Sequence, residues 1–292
     1  MNEAIYLLTG VTGATGGAAA RELRKQGRRV RGLVHKDDAR AEALRTLGVE
    51  TIVGDLLDLD SLRRAMEGVA GAYFVYPFSD GLIDAAAFTA QAAIEAGVQS
   101  LVNMSQKSAR REAKSHAARD HWVSERVFDW SGVPTTHIRP TFFAEWLLYP
   151  LPGWQVKSGV IRFPLGRGRH APIASEDQGR LIAAVLTNPA PHAGKVYPLF
   201  GPVELNHYEI AEKLSATLGR PFRYEPLSIP QFVTEMQSLG QTPRFIQHIT
   251  SVAQDYQDGI FAGTNDVIET LTGKPPLTLE EFVAHNRAKF AI

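Results

Sequence analysis

The chain has 292 residues, 44% hydrophobic and 21% charged, a globular composition long enough for about two domains. Its 31 basic and 31 acidic side chains leave a formal net charge of zero, which excludes the global basic field that nucleic acid or an anionic membrane surface would need. With no cysteine in the chain, disulfides, thiolate metal sites and a cysteine nucleophile are excluded together. The start, Met1-Asn2-Glu3-Ala4, has no basic segment, and the apolar run behind it breaks at Thr9-Gly10, so no signal peptide is expected. No stretch approaches the roughly 18 apolar residues of a membrane span. A cytoplasmic protein, with neither nucleic acid nor membrane as partner, fits these observations.

In chain order, apolar runs of strand length alternate with segments of helical period. Ile5 to Leu8 reads as a buried strand, Ala18 to Gln26 as a helix ending at Gly27, and Arg29 to Val34 as a strand. A helix over Ala39 to Leu47, a strand over Val49 to Val53 and a helix over Leu59 to Met66 follow. Strand Ala72 to Tyr76, helix Ala85 to Ala96 and strand Leu101 to Met104 continue the pattern. From His116 to Gly132 the spacing of Trp122, Val123, Val127 and Trp130 predicts an amphipathic helix with those residues as its apolar stripe, and Thr135 to Ile138 reads as a sixth strand. Single helices between strands force a parallel sheet, so the expected fold is α/β, a doubly wound Rossmann-type sheet. After Tyr149-Pro150-Leu151-Pro152 the alternation fails. Helices near Gln178 to Leu186, Tyr208 to Leu218, Ile229 to Met236 and Leu279 to Arg287 predict a smaller α-rich substrate lobe. The expected division is 1–149 and 150–292, with some later segments returning to the sheet.

The loop Gly10-Val-Thr-Gly13-Ala-Thr-Gly16-Gly17 lies between the first strand and the first helix. A tight turn, close backbone approach to a pyrophosphate and a helix N-terminus facing the anion all call for glycine there, so Gly10, Thr12, Gly13, Ala14, Thr15 and Gly16 are cofactor-binding candidates. The second strand ends in Val34-His35-Lys36, with Arg40 beyond. Basic groups where an NAD-type site carries its acid favour NADP(H), with NAD(H) left open by Asp37 and Asp38, one of which would otherwise cap the next helix. Ligands in open parallel sheets bind beyond the carboxyl ends of the strands. That places Asp55 and Leu56, Tyr76 and Pro77, Ser105 and Pro140 along the cofactor, and Phe78 and Gln106 toward a substrate. The rings of Phe142, Phe143, Trp146 and Tyr149 lie past the sixth strand, and Phe142, Phe143 and Trp146 are candidate walls for a flat apolar substrate.

His121 and Glu125 stand one helical turn apart. The nine histidines have no H-E-x-x-H or similar spacing, so no metal site is expected, and Ser105 lies in no G-x-S-x-G elbow. Arg110-Arg111 and Lys114 read as an exposed loop face, and Arg162 to His170 as a solvated turn.

Taken together, the TGATG loop, Gly54-Asp55, His121-x-x-x-Glu125-x-x-Phe128-x-x-Ser131-Gly132 and Ile138-Arg139-Pro140-x-Phe142-Phe143 resemble the NmrA-like branch of the atypical short-chain dehydrogenases/reductases. The likeness continues through Gly166 to Asp177, Gly194 to Gly201, Tyr208 to Gly219 and Leu271-Thr272-Gly273-Lys274, nearly the whole chain. That branch holds NADPH-dependent quinone reductases, triphenylmethane reductases, the isoflavone-reductase group and redox-sensing regulators. The Tyr-x-x-x-Lys pair of ordinary short-chain dehydrogenases is missing, which argues against carbinol oxidation and against a sugar-nucleotide epimerase. The resemblance puts His121 where the isoflavone-reductase group carries its lysine, beside the nicotinamide, and implies a role as proton donor or cofactor ligand with Glu125 orienting it. It implies an NADPH-dependent reductase acting on a quinone-like or conjugated acceptor, with a dinucleotide sensor signalling to a protein partner as the alternative. A homodimer is compatible with either.

Overall fold

The computed structural model describes residues 4–149 and 156–290. In the first half, β1 (Ile5–Leu8), α1 (Ala14–Lys25), β2 (Arg29–Val34), α2 (Ala39–Thr46), β3 (Glu50–Val53) and α3 (Leu59–Met66) alternate without interruption. They continue as β4 (Val69–Phe74), α4 (Leu82–Glu95), β5 (Ser100–Met104), α5 (His116–Ser131) and β6 (Thr135–Pro140). A 3-10 turn, Ala144–Leu148, then leads into β7 (Val160–Phe163), α6 (Ser175–Thr187), β8 (Val196–Leu199), α7 (His207–Leu218) and β9 (Arg223–Pro226). Four helices close the chain: α8 (Ile229–Ser238), α9 (Pro243–Gln257), α10 (Val267–Thr272) and α11 (Leu279–His285).

Seven strands form one parallel sheet in the order β3-β2-β1-β4-β5-β6-β8, so the strand order reverses between β1 and β4. The crevice at that switch point is where such sheets bind ligands. One face is buried under α1 and α6, whose approach is close because a Cβ on Gly179 would stand 2.6 Å from the Ala18 backbone. The other face packs Leu62, Ala86 and Phe128 from α3, α4 and α5. A third core, containing Phe163, Leu214, Phe232, Ile249, Tyr256 and Phe282, belongs to a lobe built on the parallel pair β7-β9 with α7, α8, α9 and α11.

The later segments that return to the sheet are β8, its seventh strand, and α6, which the sequence pattern assigns to the lobe but which lies on α1. Two further expectations are corrected. The buried face of α5 is Ala117, Ala118, Ser124, Glu125 and Phe128, while Trp130 is 77% exposed. Small side chains let α5 sit against α4; of the predicted stripe, Val127 packs partly against this core, Trp122 and Val123 are half-buried, and Trp130 faces outward. Arg110 is not part of an exposed loop face. Its guanidinium makes paired bonds of 2.6 and 2.8 Å to the buried Asp255 of α9. In the Arg162 to His170 run, Arg162 and Arg169 pair with glutamates, Glu235 among them for the first and Glu204 and Glu209 for the second. The boundary expected at Tyr149 to Pro152 falls largely outside the described residues.

Candidate active site

The glycine loop is shaped by backbone contacts. Gly10 has φ +55°, and a Cβ there would meet Val75 Cγ1 at 2.4 Å. At Gly16 a Cβ would stand 2.4 Å from the Gly10 carbonyl oxygen, so only glycine lets α1 start this close to β1. Gly13 caps α1 with no side-chain acceptor, which leaves the first N–H groups of a twelve-residue helix to an anion. Thr9 Oγ1 ties the loop to the end of β4 by accepting from Val75 N at 2.8 Å and donating to Val75 O at 3.0 Å. Thr12, Gly13 and Ala14 edge a polar hollow of about 380 Å³ shared with Arg21, Glu145 and Lys289. Thr15 points inward, its hydroxyl 2.8 Å from the buried Tyr73 hydroxyl. These features fit a dinucleotide: an uncapped helix end behind a cradle that any side chain would fill.

At the neighbouring strand ends, His35 and Lys36 are exposed, and His35 Nδ1 stands 3.9 Å from Asp55 Oδ2. Asp55 also accepts from Leu57 N, and Leu56 packs partly into the core beneath the sheet. Asp38 is the residue that caps α2, accepting from Arg40 N at 2.9 Å, and it also pairs with the Arg40 guanidinium. Those bonds hold the Asp38 carboxyl down at about 2, with Arg40 the first cause. Arg40 therefore stands near the rim already engaged by a carboxylate.

Beyond the carboxyl ends of β4, β5 and β6 lies a cleft of about 530 Å³. It brings together Tyr76, Pro77, Phe78, Ser105, Gln106, His121, Pro140, Phe142, Phe143 and Trp146, all singled out in the sequence. Phe142 is itself packed edge-on against Trp146, Phe261 and Tyr256, with ring centroids 4.9 to 5.4 Å apart. The far wall, Phe245, His248, Ile249 and Val252 of α9 with Phe261 beyond it, was missed. A signal was present: Thr242 caps, Pro243 opens the helix, and Phe245, Ile249, Val252 and Tyr256 follow at steps of four, three and four. Among the described residues, no Asp, Glu, Lys or Arg lines the cleft.

His121 Nδ1 is buried without a hydrogen-bond partner, and burial pushes the imidazole down to about 4 despite the opposing pull of Glu125. The ring is therefore neutral near pH 7. Glu125 does not orient it: the buried carboxylate is gripped by Arg139, at 2.8 Å from Nε and 2.5 Å from Nη2. Arg139 lies near the end of β6, so this pair locks α5 to the sheet.

Fold and cleft define a class: a dinucleotide-type α/β protein whose second lobe closes an aromatic pocket over the strand ends. The chain belongs to the NmrA-like family, whose model matches residues 2–283. It is 29% identical to an NAD(P)H azoreductase of Xenophilus azovorans over 98% of this chain and 99% of that one. A (4-alkanoyl-5-oxo-2,5-dihydrofuran-3-yl)methyl phosphate reductase of Streptomyces griseus is 30% identical over 98% and 99%. Among solved structures, the NADPH-dependent quinone oxidoreductase of Escherichia coli in complex with NADPH superposes with a TM-score of 0.84 at 25% identity, covering 96% of this chain and 99% of that one.

Proposed function

We propose that this protein is an NAD(P)H-dependent oxidoreductase that prefers NADPH and reduces a neutral, flat, conjugated acceptor of the quinone type. The observation that carries the acceptor class is the cleft itself: ring-walled, without an ionised side chain among its described lining residues, and set beside the glycine loop. An acceptor bearing a phosphate would find no counter-charge there, whereas a planar aromatic molecule can stack on Phe78, Phe143 or Trp146.

Gly10, Gly13 and Gly16 would hold the pyrophosphate at the α1 N-terminus. His35, Lys36 and Asp55 would meet the adenosine end, Lys36 facing the 2′-phosphate. Bound reduced nicotinamide supplies the hydride; the chain supplies orientation, a dry slot and hydrogen bonds. A neutral His121 serves such chemistry as a hydrogen-bond donor rather than as an imidazolium acid. An electron-poor quinone needs little acid help, in keeping with the missing Tyr-x-x-x-Lys pair.

Fluorescence titration with NADPH and NADH, followed by menadione, an azo dye and a phosphate-bearing enone in separate cuvettes, tests the reading. Loss of the reduced-nicotinamide signal with menadione or the dye, and little with the phosphate, is the expected result. Tight cofactor binding without oxidation by any acceptor would overturn it in favour of dinucleotide sensing.

A further inference from the structure

Two imidazoles line the cleft from two neighbouring helices, His121 from α5 and His248 from α9. The His248 ring is fixed on two sides. Its centroid lies 4.7 Å from that of Phe78, the planes tilted by 32°, and its Nδ1 is 2.7 Å from Ser115 Oγ. Ser115 is fully buried and caps α5, so its oxygen already accepts from Ala118 N at 3.1 Å. The buried hydroxyl hydrogen has no acceptor among the described residues other than the facing ring nitrogen, so Ser115 Oγ donates to it. Nδ1 is then an acceptor, the ring proton resides on Nε2, and Nε2 has no hydrogen-bond partner among the described residues. This bond is not needed merely to dock α9: Arg244 pairs with Asp80 and Asp120, Gln247 reaches Lys114 O, and Asp255 holds Arg110.

Resting on the reductase reading, we infer that His248 is a substrate-binding residue whose Nε2–H donates to a carbonyl oxygen of the acceptor, and that Ser115 is the positioning residue that sets its tautomer. A quinone that takes up a hydride becomes a hydroquinone monoanion, its two new electrons and negative charge resting on oxygen. The hydrogen bond from Nε2 strengthens as that charge develops. Water supplies the proton that completes the hydroquinone, so His248 keeps its own. The device selects acceptors that carry a carbonyl oxygen in conjugation with the reducible centre over equally flat molecules that lack one.

The tautomer is read directly by nitrogen-15 NMR of imidazole-labelled protein, with the His248 signals assigned by their loss in His248→Phe. A protonated Nε2 and unprotonated Nδ1 are expected, with the Nε2 signal moving when menadione is added without NADPH. A proton on Nδ1, or a signal indifferent to menadione, would overturn the inference whether or not the protein turns over. In kinetics, His248→Phe keeps the stacking on Phe78 and should raise the menadione KM about tenfold while leaving NADPH affinity unchanged. His248→Gln, which retains a side-chain N–H, should recover most of that loss, and Ser115→Ala should raise KM with a mixed tautomer. Wild-type turnover with an unaltered KM in His248→Phe would sink the role of His248 and spare the reductase. An NMR response to menadione without wild-type turnover would sink the reductase reading alone.

Discussion

The two walls of the cleft are made differently. The sheet wall is backbone: glycines without room for a Cβ, strand ends in register and an uncapped helix terminus, all within the first 140 residues. The lobe wall is side chain: Phe245, His248 and Phe261, held in place by arginine clasps between residues as distant as Arg110 and Asp255 or Asp80 and Arg244. Close-packed backbone tolerates almost no substitution, whereas a wall of rings can be exchanged if its supports remain. Under the proposed function, the difference means that cofactor and acceptor are read by parts that can be broken separately.

Gly16→Val should break the sheet wall most severely. A Cβ 2.4 Å from a backbone oxygen must displace the loop, so NADPH affinity should fall at least about 100-fold, or about 3 kcal/mol, by fluorescence titration. Asp255→Ala is the counterpart on the lobe side. It leaves a partly buried Arg110 without its carboxylate, and a loss of about 2 kcal/mol is expected, seen as a Tm lower by roughly 5 °C. Acceptor KM should rise while NADPH affinity holds; a fall in both would show that the walls are not separable. His121→Ala, at the seam between them, should lower kcat by about tenfold or more, and an unchanged kcat would remove the ring from the chemistry.

Acid sharpens the comparison further. Burial holds His170, His207 and His248 of the lobe side, with His121, below their ordinary range, His121 at about 4 and His207 and His248 at about 3. Tyr256 Oη links two of them, 2.6 Å from His170 Nδ1 and 3.2 Å from His207 Nδ1. Unfolded histidines protonate below about pH 6.5, so between that pH and about 4 the unfolded chain binds more protons than the folded one. Stability should therefore fall as pH drops through that window, by at most about 1.4 kcal/mol per pH unit for each such histidine. His207→Gln should flatten the slope in thermal melts recorded from pH 7 to 4.5. The smallest effect belongs to the exposed rim: Lys36→Ala should weaken NADPH about fivefold and leave NADH unchanged. Equal loss for both would assign Lys36 no role in choosing between them.

Much of the sheet wall was legible because its causes are local. The glycine spacing, the strand runs and the caps at Gly27, Gly48 and Gly97 act over a few residues, and helix Leu59–Met66 and strand Arg29–Val34 lie where the pattern puts them. Local spacing misled where neighbours decide. Trp130 fits a stripe yet faces outward, and Glu125, one turn from His121, turns to Arg139 because the end of β6 comes closer. The lobe's short strands β7 and β9 pair across some sixty residues, which no period within either one announces.

The sequence by itself determined an alternating parallel sheet, a loop that only glycines can form, and a set of strand-end residues that one topology brings to one crevice. The tertiary structure alone decided what closes that crevice. It set α9 over the strand ends, joined Arg110 to Asp255, and put His248 against Phe78 and Ser115. Turn and helix signals act over a few bonds of chain, whereas burial and ion pairing act between groups that meet only once the chain has folded.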